Sequence, residues 1–355
     1  MSNVAIDFVC LKVFNRLSRV QKNILSGSLI SPQEACALLK RGGVVAIPTE
    51  TVYGLAAKAT DAKAIERLFR VKNRPSTNPL ICHFPSFESA KPFLNPYPAY
   101  VDALQRYFMP GPVSFLLPLK PNSGLEHAVR NQTNVIVRVP GHPLAIQIIE
   151  CVGEALAAPS ANTSGRYSGT TAWMVLEDLG DKIDGVVDGG ASDTGIESTI
   201  LDCTRHDAIQ ILRPGSVGKK DIEDALRWEN LNVGVLYAEA AQPTPGHAHR
   251  HYAPRTALSL ITNATSLPLT HKKIGLLAAE ETLERLRGAG QYGHINFLSI
   301  GSAHNPSNIG KSLYATLAKL DALKLDRAYI MLPEIDDPDW RRALHYRFQK
   351  MTETI

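Results

Sequence analysis

The chain has 355 residues, of which 44% are hydrophobic and 20% are charged. This composition is typical of a globular protein and excludes a disordered or fibrous chain, while the length favours two compact domains. The formal net charge of +4 is compatible with polyanionic ligands such as nucleotide phosphates, but it is too weak to indicate nucleic-acid binding by itself.

The sequence contains no long apolar run, and charged residues interrupt its N-terminal stretch where a signal peptide would stay apolar. We therefore predict no membrane span, no export and a cytoplasmic location. The cysteines are odd in number, scattered and never spaced as CxxC, so they suggest neither a disulfide framework nor a zinc site. They are Cys10, Cys36, Cys82, Cys151 and Cys203.

Hydrophobic periodicity indicates an α/β domain in the first two thirds of the chain. Residues 31–43 have a Ser-Pro start, helical spacing and a Gly-Gly end, and residues 61–75 start at an aspartate and stop at a proline. VVAIP at 44–48 predicts a strand, and TETVYGLAAKA after it is typical of a functional turn. Further strands are predicted at PLICHF, VSFLLPL, NVIVRVP, GVVDGG and STILD, alternating with helices at HPLAIQIIECVG and TAWMVLEDLG, which together indicate a twisted mixed sheet.

Residues 238–255 lose this periodicity and gather proline, glycine and histidine, which predicts an interdomain linker. Strands are then predicted at ALSLIT, KKIGLLAA, INFLSIG and AYIMLP, with helices at EETLERLRGAG, NIGKSLYATLAKLDAL and DWRRALHYRFQKM. That order predicts a smaller Rossmann-like domain, and the missing GxGxxG argues against dinucleotide binding. The predicted divisions are an N-terminal extension at 1–27, a catalytic domain at 28–235, a linker or lid at 236–256 and a C-terminal domain at 257–355.

Polar clusters precede the linker, and each has a structural explanation beside a functional one. PTETVYGL places hydroxyls at the end of a predicted strand, where open α/β sheets bind ligands, but hydroxyls also cap helices. Lys72 and Arg74 could clamp a triphosphate, whereas cations also complement a helix C-terminus. APSANTSG could face an anion or form an ordinary turn. The polar residues of ESTI lead into a predicted strand, which is unusual for a purely structural segment. Arg213 precedes a Pro-Gly turn, and a lone arginine in such a position is usually solvated.

In combination these clusters are far more specific. PTETVYGL, KNRPxxNPLICH, NVIVRVP, APSANTSG, ESTILD and ILRPG, in this order, resemble the YrdC-domain family of threonylcarbamoyl-adenylate synthases. The linker PGHAHRHYAP at 245–254 is similar to the connector of the longer, two-domain form, in which a Rossmann-like domain follows. The resemblance covers about residues 28–260 and implies a YrdC-like fold for the first domain.

The resemblance also implies a reaction. In that family threonine and bicarbonate give N-carboxythreonine, whose carboxylate attacks the α-phosphate of ATP and expels pyrophosphate. The product supplies threonylcarbamoyl-transferase proteins that modify tRNA. Magnesium is expected with ATP, bound mainly through phosphates, so the sequence assigns no metal ligands. Fixed positive charge and positioning should carry most of the catalysis.

Site residues are implied by the same resemblance, position by position. Lys72 and Arg74 are the expected catalytic charges. The ATP-binding positions are Lys72, Arg74, Asn78, Thr133, Ser160, Asn162, Ser168, Arg213 and Tyr252. The threonine-binding positions are Thr51, His83, Arg138, Ala158 and Ser198, with Arg138 a natural partner for the carboxylate.

Other interpretations remain open at this point. Glu50 and Glu197 are the carboxylates nearest the motifs, and either could hold a turn or a neighbouring cation. The alternate histidines at 247–251 could suggest a metal site, but they lack carboxylate or cysteine partners. A non-catalytic protein with weak RNA binding is one rival function. A hydrogenase-cofactor carbamoyl transferase is another, although that branch carries zinc fingers and this chain has no CxxC pair.

Overall fold

The computed structural model describes residues 28–238, 251–267, 273–290 and 292–352, which fall into two compact units. Within the described residues the first unit comprises 28–164 and 169–238, and the second comprises 165–168 and the residues from 251 onward. The predicted extension at 1–27 and linker residues 239–250 lie outside the described residues. The predicted domain boundaries remain predictions.

The first unit is built on a ten-stranded mixed sheet. The strands are β1 (Val45–Ile47), β2 (Gly54–Lys58), β3 (Ile81–His83), β4 (Val113–Pro118), β5 (Asn134–Arg138), β6 (Leu156–Ala157), β7 (Gly185–Val186), β8 (Thr199–Asp202), β9 (Ala208–Arg213) and β10 (Gly234–Tyr237). Their order in the sheet is β10-β9-β8-β4-β5-β3-β6-β2-β1-β7. Strands β3 and β5 are parallel, as are β4 and β8, while β4 and β5 are antiparallel.

Helices cover this sheet, and local sequence explains where several of them begin. Ser31 and Glu34 form a capping box at the first helix, and the Asp61 side chain caps the second. The helices are α1 (Pro32–Lys40), α2 (Ala62–Lys72), α3 (Phe87–Ala90), α4 (Tyr100–Phe108), α5 (Glu126–Val129), α6 (Pro143–Val152), α7 (Ala172–Leu179) and α8 (Lys219–Trp228), with a 3-10 turn at Lys91–Phe93.

The core of the first unit lies on both faces of the sheet. Along β1 the side chains alternate, because Ala46 belongs to a cluster with Leu68 and Phe115, whereas Ile47 packs in another with Leu39. A strand buried on both faces reads as a continuous apolar run, which is how VVAIP appears in the sequence.

The second unit contains a four-stranded, all-parallel sheet in the order β11-β14-β12-β13. This arrangement confirms the predicted fold class, a large mixed-sheet α/β domain with a smaller Rossmann-like one. No helix in the described part of the chain is long and apolar enough to cross a membrane. The elements are β11 (Leu258–Ile261), β12 (Ile274–Ala278), α9 (Glu280–Gly288), β13 (Asn296–Ser299), α10 (Pro306–Ala322), β14 (Arg327–Met331) and α11 (Pro338–Met351), with a 3-10 turn at Ala264–Ser266.

The segment TETVYGLAAKA corrects one prediction. Its second half is not a turn but strand β2, which pairs antiparallel with β1 and places Gly54 opposite Ile47. Gly54 suits this crowded position, since a Cβ on it would lie 3.3 Å from the Ala158 Cβ. Only residues 48–53 remain to connect the two strands.

The cysteines correct a second prediction. Cys36 on α1 and Cys151 on α6 form a disulfide with Cα atoms 6.0 Å apart, although they are 115 residues apart in sequence. The expectation of unpaired cysteines was wrong for this pair because the packing of two distant helices brings them together. Cys82 and Cys203 are free and buried, and Cys10 lies outside the described residues.

Candidate functional site

Arg138 lies at the end of β5, with its side chain only 5% exposed. Its Nη2 donates to the Glu50 Oε1 and to the Thr51 Oγ1, both at 2.7 Å. The Thr51 hydroxyl lies 2.9 Å from that of Thr49 in the same β1–β2 loop. A buried guanidinium next to hydroxyls is a suitable partner for a carboxylate, because its donors are matched to two oxygens.

His83 ends β3 and is the register partner of Arg138 on the neighbouring parallel strand. Its Nδ1 lies 3.2 Å from the carbonyl oxygen of Ile81, which can only accept, so the ring carries its proton on Nδ1. Burial and the Arg138 charge lower the pKa of His83 to about 3, against the opposing carbonyl contact. The neutral ring therefore presents Nε2 as an acceptor suited to a hydroxyl.

Lys72, the last residue of α2, is fully buried. Its Nζ donates to the backbone oxygens of Ser160 and Asn162, the latter at 2.6 Å, and its own carbonyl accepts from the Ser164 N–H at 2.7 Å. The lysine thus holds the APSANTSG turn against the end of the helix. Two of the three ammonium donors are accounted for by these carbonyls.

Arg74 organises the segment that follows α2. Its Nε lies 3.4 Å from the Asn78 carbonyl oxygen and its Nη2 3.0 Å from that of Pro79. Asn73 between the two cations adopts a left-handed conformation with φ of 50°, which turns the chain out of the helix. The structure therefore places Lys72, Arg74 and Asn78 in one connected region.

Arg213 and Ser198 form a third buried group. The Arg213 Nε donates to the Ser198 carbonyl oxygen at 2.9 Å, and its Nη2 donates to the Ser198 Oγ at 3.0 Å. The same Oγ lies 2.9 Å from the Ser114 Oγ on β4. The general expectation that an arginine before a turn is solvated does not hold here, because Arg213 is 7% exposed and fixes the start of β8.

The other predicted site residues do not all belong to these three groups. Ala158 is buried and its N–H donates to the Ile81 carbonyl, so it lies beside β3. Thr133 is exposed before β5, and its carbonyl accepts from Leu119. Ser168 and Tyr252 are buried residues of the second unit.

Several neighbours of these residues were not predicted to take part. Ser114 lies within the apolar run VSFLLPL, where a lone buried hydroxyl was the available signal. Asp178 accepts from the Thr163 N–H at 2.7 Å and braces the turn from α7. Glu50 was recognised as a nearby carboxylate, but nothing in the sequence identified Arg138, 88 residues away, as its partner.

No group of three or more His, Cys, Asp or Glu suited to hold a metal ion occurs among the described residues. Of the linker histidines His247, His249 and His251, the structure describes only His251. The alternative of a linker metal site therefore lies mostly outside the described residues. A divalent ion that enters with a nucleotide is held largely by phosphates and requires no such group.

The buried ammonium of Lys72 leads to a prediction on pH and stability. Burial and the nearby Arg74 lower the pKa of Lys72 to about 7, with Asp178 opposing them. An unfolded lysine has a pKa near 10.4, so between these values the unfolded chain binds more protons and the free energy of unfolding rises with pH. From pH 7 to pH 9 the wild type should gain on the order of 2 kcal/mol relative to Lys72→Met.

Denaturant unfolding of both proteins at the two pH values measures this difference. The gain arises because the penalty of burying a charged Lys72 is fully present below its folded pKa and is relieved as pH rises. Equal changes in the two proteins would show that Lys72 is not titrating in this range.

Comparison with known proteins gives a consistent result for both units. A family model described as Telomere recombination matches residues 37–215, and one described as Threonylcarbamoyl-AMP synthase, C-terminal domain, matches residues 217–351. The threonylcarbamoyl-AMP synthase of Bacillus subtilis is 33% identical over 326 residues, covering 89% of this chain and 91% of the relative. That of Pyrococcus abyssi is 34% identical over 298 residues, covering 82% and 86%.

The solved structures agree with the sequences. The crystal structure of Pyrococcus abyssi Sua5 complexed with L-threonine matches with a TM-score of 0.77 and 29% identity, covering 90% of this chain and 93% of that one. The family suggested by the ordered motifs is thereby confirmed across both units. The chain belongs to the threonylcarbamoyl-AMP synthase family and is an enzyme of its two-domain form.

Proposed function

We propose that this chain forms threonylcarbamoyl-AMP and pyrophosphate from L-threonine, bicarbonate and ATP. The carboxylate oxygen of N-carboxythreonine attacks the α-phosphorus, a new P–O bond forms, and the bond to the pyrophosphate oxygen breaks. Magnesium enters with ATP as part of the substrate. The observation that carries the proposal is a pair of buried basic side chains in the same unit. Lys72 donates to the backbone of the APSANTSG turn, and Arg138 donates to the Thr51 hydroxyl.

The surroundings of Arg138 suit threonine, and those of Lys72 and Arg74 suit ATP. Arg138 receives the threonine carboxylate, and the neutral His83 and the hydroxyls of Thr51 and Ser198 select its side chain, with Ala158 lining the pocket. A pocket that hydrogen-bonds a hydroxyl rejects an isostere lacking it more strongly than an apolar pocket separates homologues. Valine should therefore be a poor substrate.

The part of the site that binds ATP requires positive charge around the phosphate oxygens, because these oxygens gain negative charge as pyrophosphate leaves. We assign this role to Lys72 and Arg74, with Asn78, Thr133, Ser160, Asn162 and Arg213 as further ATP contacts. Such charges are effective when they are already in place before the reaction, because no reorganisation is then needed. The hydrogen bonds of Lys72 and Arg74 to backbone carbonyls fit that requirement.

Pyrophosphate release by the purified full chain tests the proposal. The reaction contains ATP, magnesium and bicarbonate, with threonine, serine, valine or no amino acid. We expect release that requires both threonine and bicarbonate. Release independent of threonine, or no release together with salt-sensitive RNA binding, would contradict it and favour the weak RNA-binding alternative.

We further propose a cytoplasmic place for the reaction and a downstream use of the product. Threonylcarbamoyl-AMP is a mixed anhydride, so a threonylcarbamoyl-transferase must consume it for the N6-threonylcarbamoyladenosine modification of tRNA. Co-incubation with a transferase and unmodified tRNA should give modified adenosine only when threonine is present.

Tyr252 leads to a separate prediction about the nucleotide. Its backbone has a φ of 63°, unusual for a tyrosine, and its ring stacks 5.9 Å from that of Tyr314, with the Arg347 guanidinium also 5.9 Å away. A strained residue held by several neighbours is a candidate for function. Tyr252→Ala should raise the KM for ATP about tenfold, the scale of one lost aromatic contact, and leave that for threonine unchanged.

Steady-state kinetics of this variant and of Tyr107→Ala provide the comparison. Tyr107 is 42% exposed on α4, so its loss should change neither constant. An unchanged KM for ATP in Tyr252→Ala would remove Tyr252 from the ATP-binding residues.

A further inference from the structure

Glu50 lies in the β1–β2 loop, between Thr49 and Thr51, whose hydroxyls lie 2.9 Å apart. Its carboxylate is 14% exposed and has two separate partners: Oε1 lies 2.7 Å from the Arg138 Nη2, and Oε2 accepts from the Gly141 N–H at 2.9 Å. Its backbone is fixed as well, because the Thr194 N–H donates to the Glu50 carbonyl oxygen at 2.7 Å. Both the position and the direction of this carboxylate are therefore set by the fold.

The approach of Glu50 to Gly141 is close. A Cβ on Gly141 would lie 3.3 Å from both the Cγ and the Cδ of Glu50, closer than side chains ordinarily pack. The glycine lets the carboxylate receive a backbone N–H only three residues after Arg138. Glu50 thus connects the Arg138 guanidinium to the backbone that follows β5, the strand that Arg138 ends.

The contacts of Arg138 leave part of its guanidinium for a ligand. Nη2 has two hydrogens, and Glu50 and Thr51 accept from it. The Nε donor is buried and has no hydrogen-bond partner within the described residues. A buried donor without a partner is costly and is rare in folded proteins, so this one indicates a position that an oxygen of a bound molecule fills.

A purely stabilising explanation of the Glu50–Arg138 pair is weak. Ion pairs removed from water recover little net stability, because desolvation offsets most of the attraction between the charges. What such a pair does provide is orientation, since a guanidinium has fixed donor directions and would otherwise turn about its long side chain. Orientation matters when a second carboxylate must meet the remaining donors.

We propose that Glu50 is a positioning residue for the amino-acid carboxylate, which acts by fixing the Arg138 guanidinium with its Nε donor available. This proposal rests on the proposed function, in which Arg138 receives threonine. Glu50 itself does not touch the substrate carboxylate, because both would carry negative charge.

The test uses the full chain and measures the KM for threonine and for ATP in the pyrophosphate-release reaction. Glu50→Gln keeps the size of the side chain and removes the charge. We expect its KM for threonine to rise about tenfold, equivalent to about 1.4 kcal/mol, with the KM for ATP within about twofold of wild type. Glu66→Gln is the matched control, since Glu66 also pairs with an arginine, Arg130, at 2.6 Å, but is 53% exposed.

A double-variant cycle separates action through Arg138 from an independent effect. If Glu50 acts through Arg138, adding Glu50→Gln to Arg138→Met should change the KM for threonine no further. Additive losses would overturn the proposal. Glu50→Asp provides a second variant should Glu50→Gln not fold, because its shorter side chain cannot keep both contacts and should give an intermediate KM for threonine.

The outcomes distinguish this proposal from the function on which it rests. No threonine-dependent release by the wild type overturns both. Release by the wild type, with a wild-type KM for threonine in Glu50→Gln or in Glu50→Asp, overturns the role of Glu50 alone. An equal rise in the KM for ATP would likewise overturn it, because it would indicate a general disturbance of the fold.

Discussion

Lys72→Ala should lower the rate of threonine-dependent pyrophosphate release by on the order of one hundredfold or more, the effect of losing a preorganised charge in the transition state. The ammonium is buried, and it holds the carbonyls of Ser160 and Asn162 as well as supplying charge. Its removal therefore takes away both the charge and a restraint on the turn. Arg74→Ala should have a comparable effect, because Arg74 fixes the backbone of Asn78 and Pro79.

The control for this prediction lies on the same helix. Lys63 is exposed in the first turn of α2, so Lys63→Ala should retain wild-type turnover. Thermal unfolding of the three variants shows whether any loss of rate reflects loss of fold. Near-wild-type turnover in Lys72→Ala or in Arg74→Ala would remove that residue from the catalytic charges.

The buried charge of Lys72 should serve activity at a cost in stability. Burial lowers the pKa of this lysine to about 7, which means that the folded protein bears a cost for keeping it charged. An apolar replacement such as Lys72→Met removes that cost near neutral pH while abolishing the charge. Functional sites commonly show this opposition, because residues arranged for a ligand are not arranged for stability.

Local sequence signals were sufficient for most elements of the fold. The Ser-Pro start of α1, the Asp61 cap of α2 and the β-branched runs that became β5 and β8 act within a few residues, so they are visible in the chain. Strand β2 was misread because glycine and alanine have low strand propensity, and only the packing against neighbouring strands fixes it. Strands β6, β9 and β10 and helices α3, α4, α5 and α8 were not predicted.

The residues of the site were named from the resemblance, but their partners were not. Glu50 meets Arg138 across 88 residues, Lys72 meets Asn162 across 90, and Cys36 meets Cys151 across 115. Such contacts depend on strand order and helix packing, which no short window of sequence contains. The burial of Arg213 is similar, since a solvated arginine and one that fixes Ser198 look alike in sequence.

Arg138→Met should lower kcat/KM for threonine about a hundredfold or more, because a carboxylate contact with a buried guanidinium is worth roughly 2–5 kcal/mol. The same change leaves the Glu50 carboxylate shielded from water without its cation, which should also lower the thermal stability. Two separate effects are therefore expected from one substitution, and they can be told apart.

The double variant Glu50→Gln/Arg138→Met makes that separation, because removing the uncompensated carboxylate should restore most of the thermal stability while threonine turnover stays low. Arg205→Ala is the control, since Arg205 pairs with Asp207 on the surface and its loss should alter neither property. Calorimetric binding of threonine provides a readout that does not require ATP. If Arg138→Met bound threonine as tightly as the wild type, Arg138 would not be the carboxylate partner, and the charge beside Glu50 would serve only the fold.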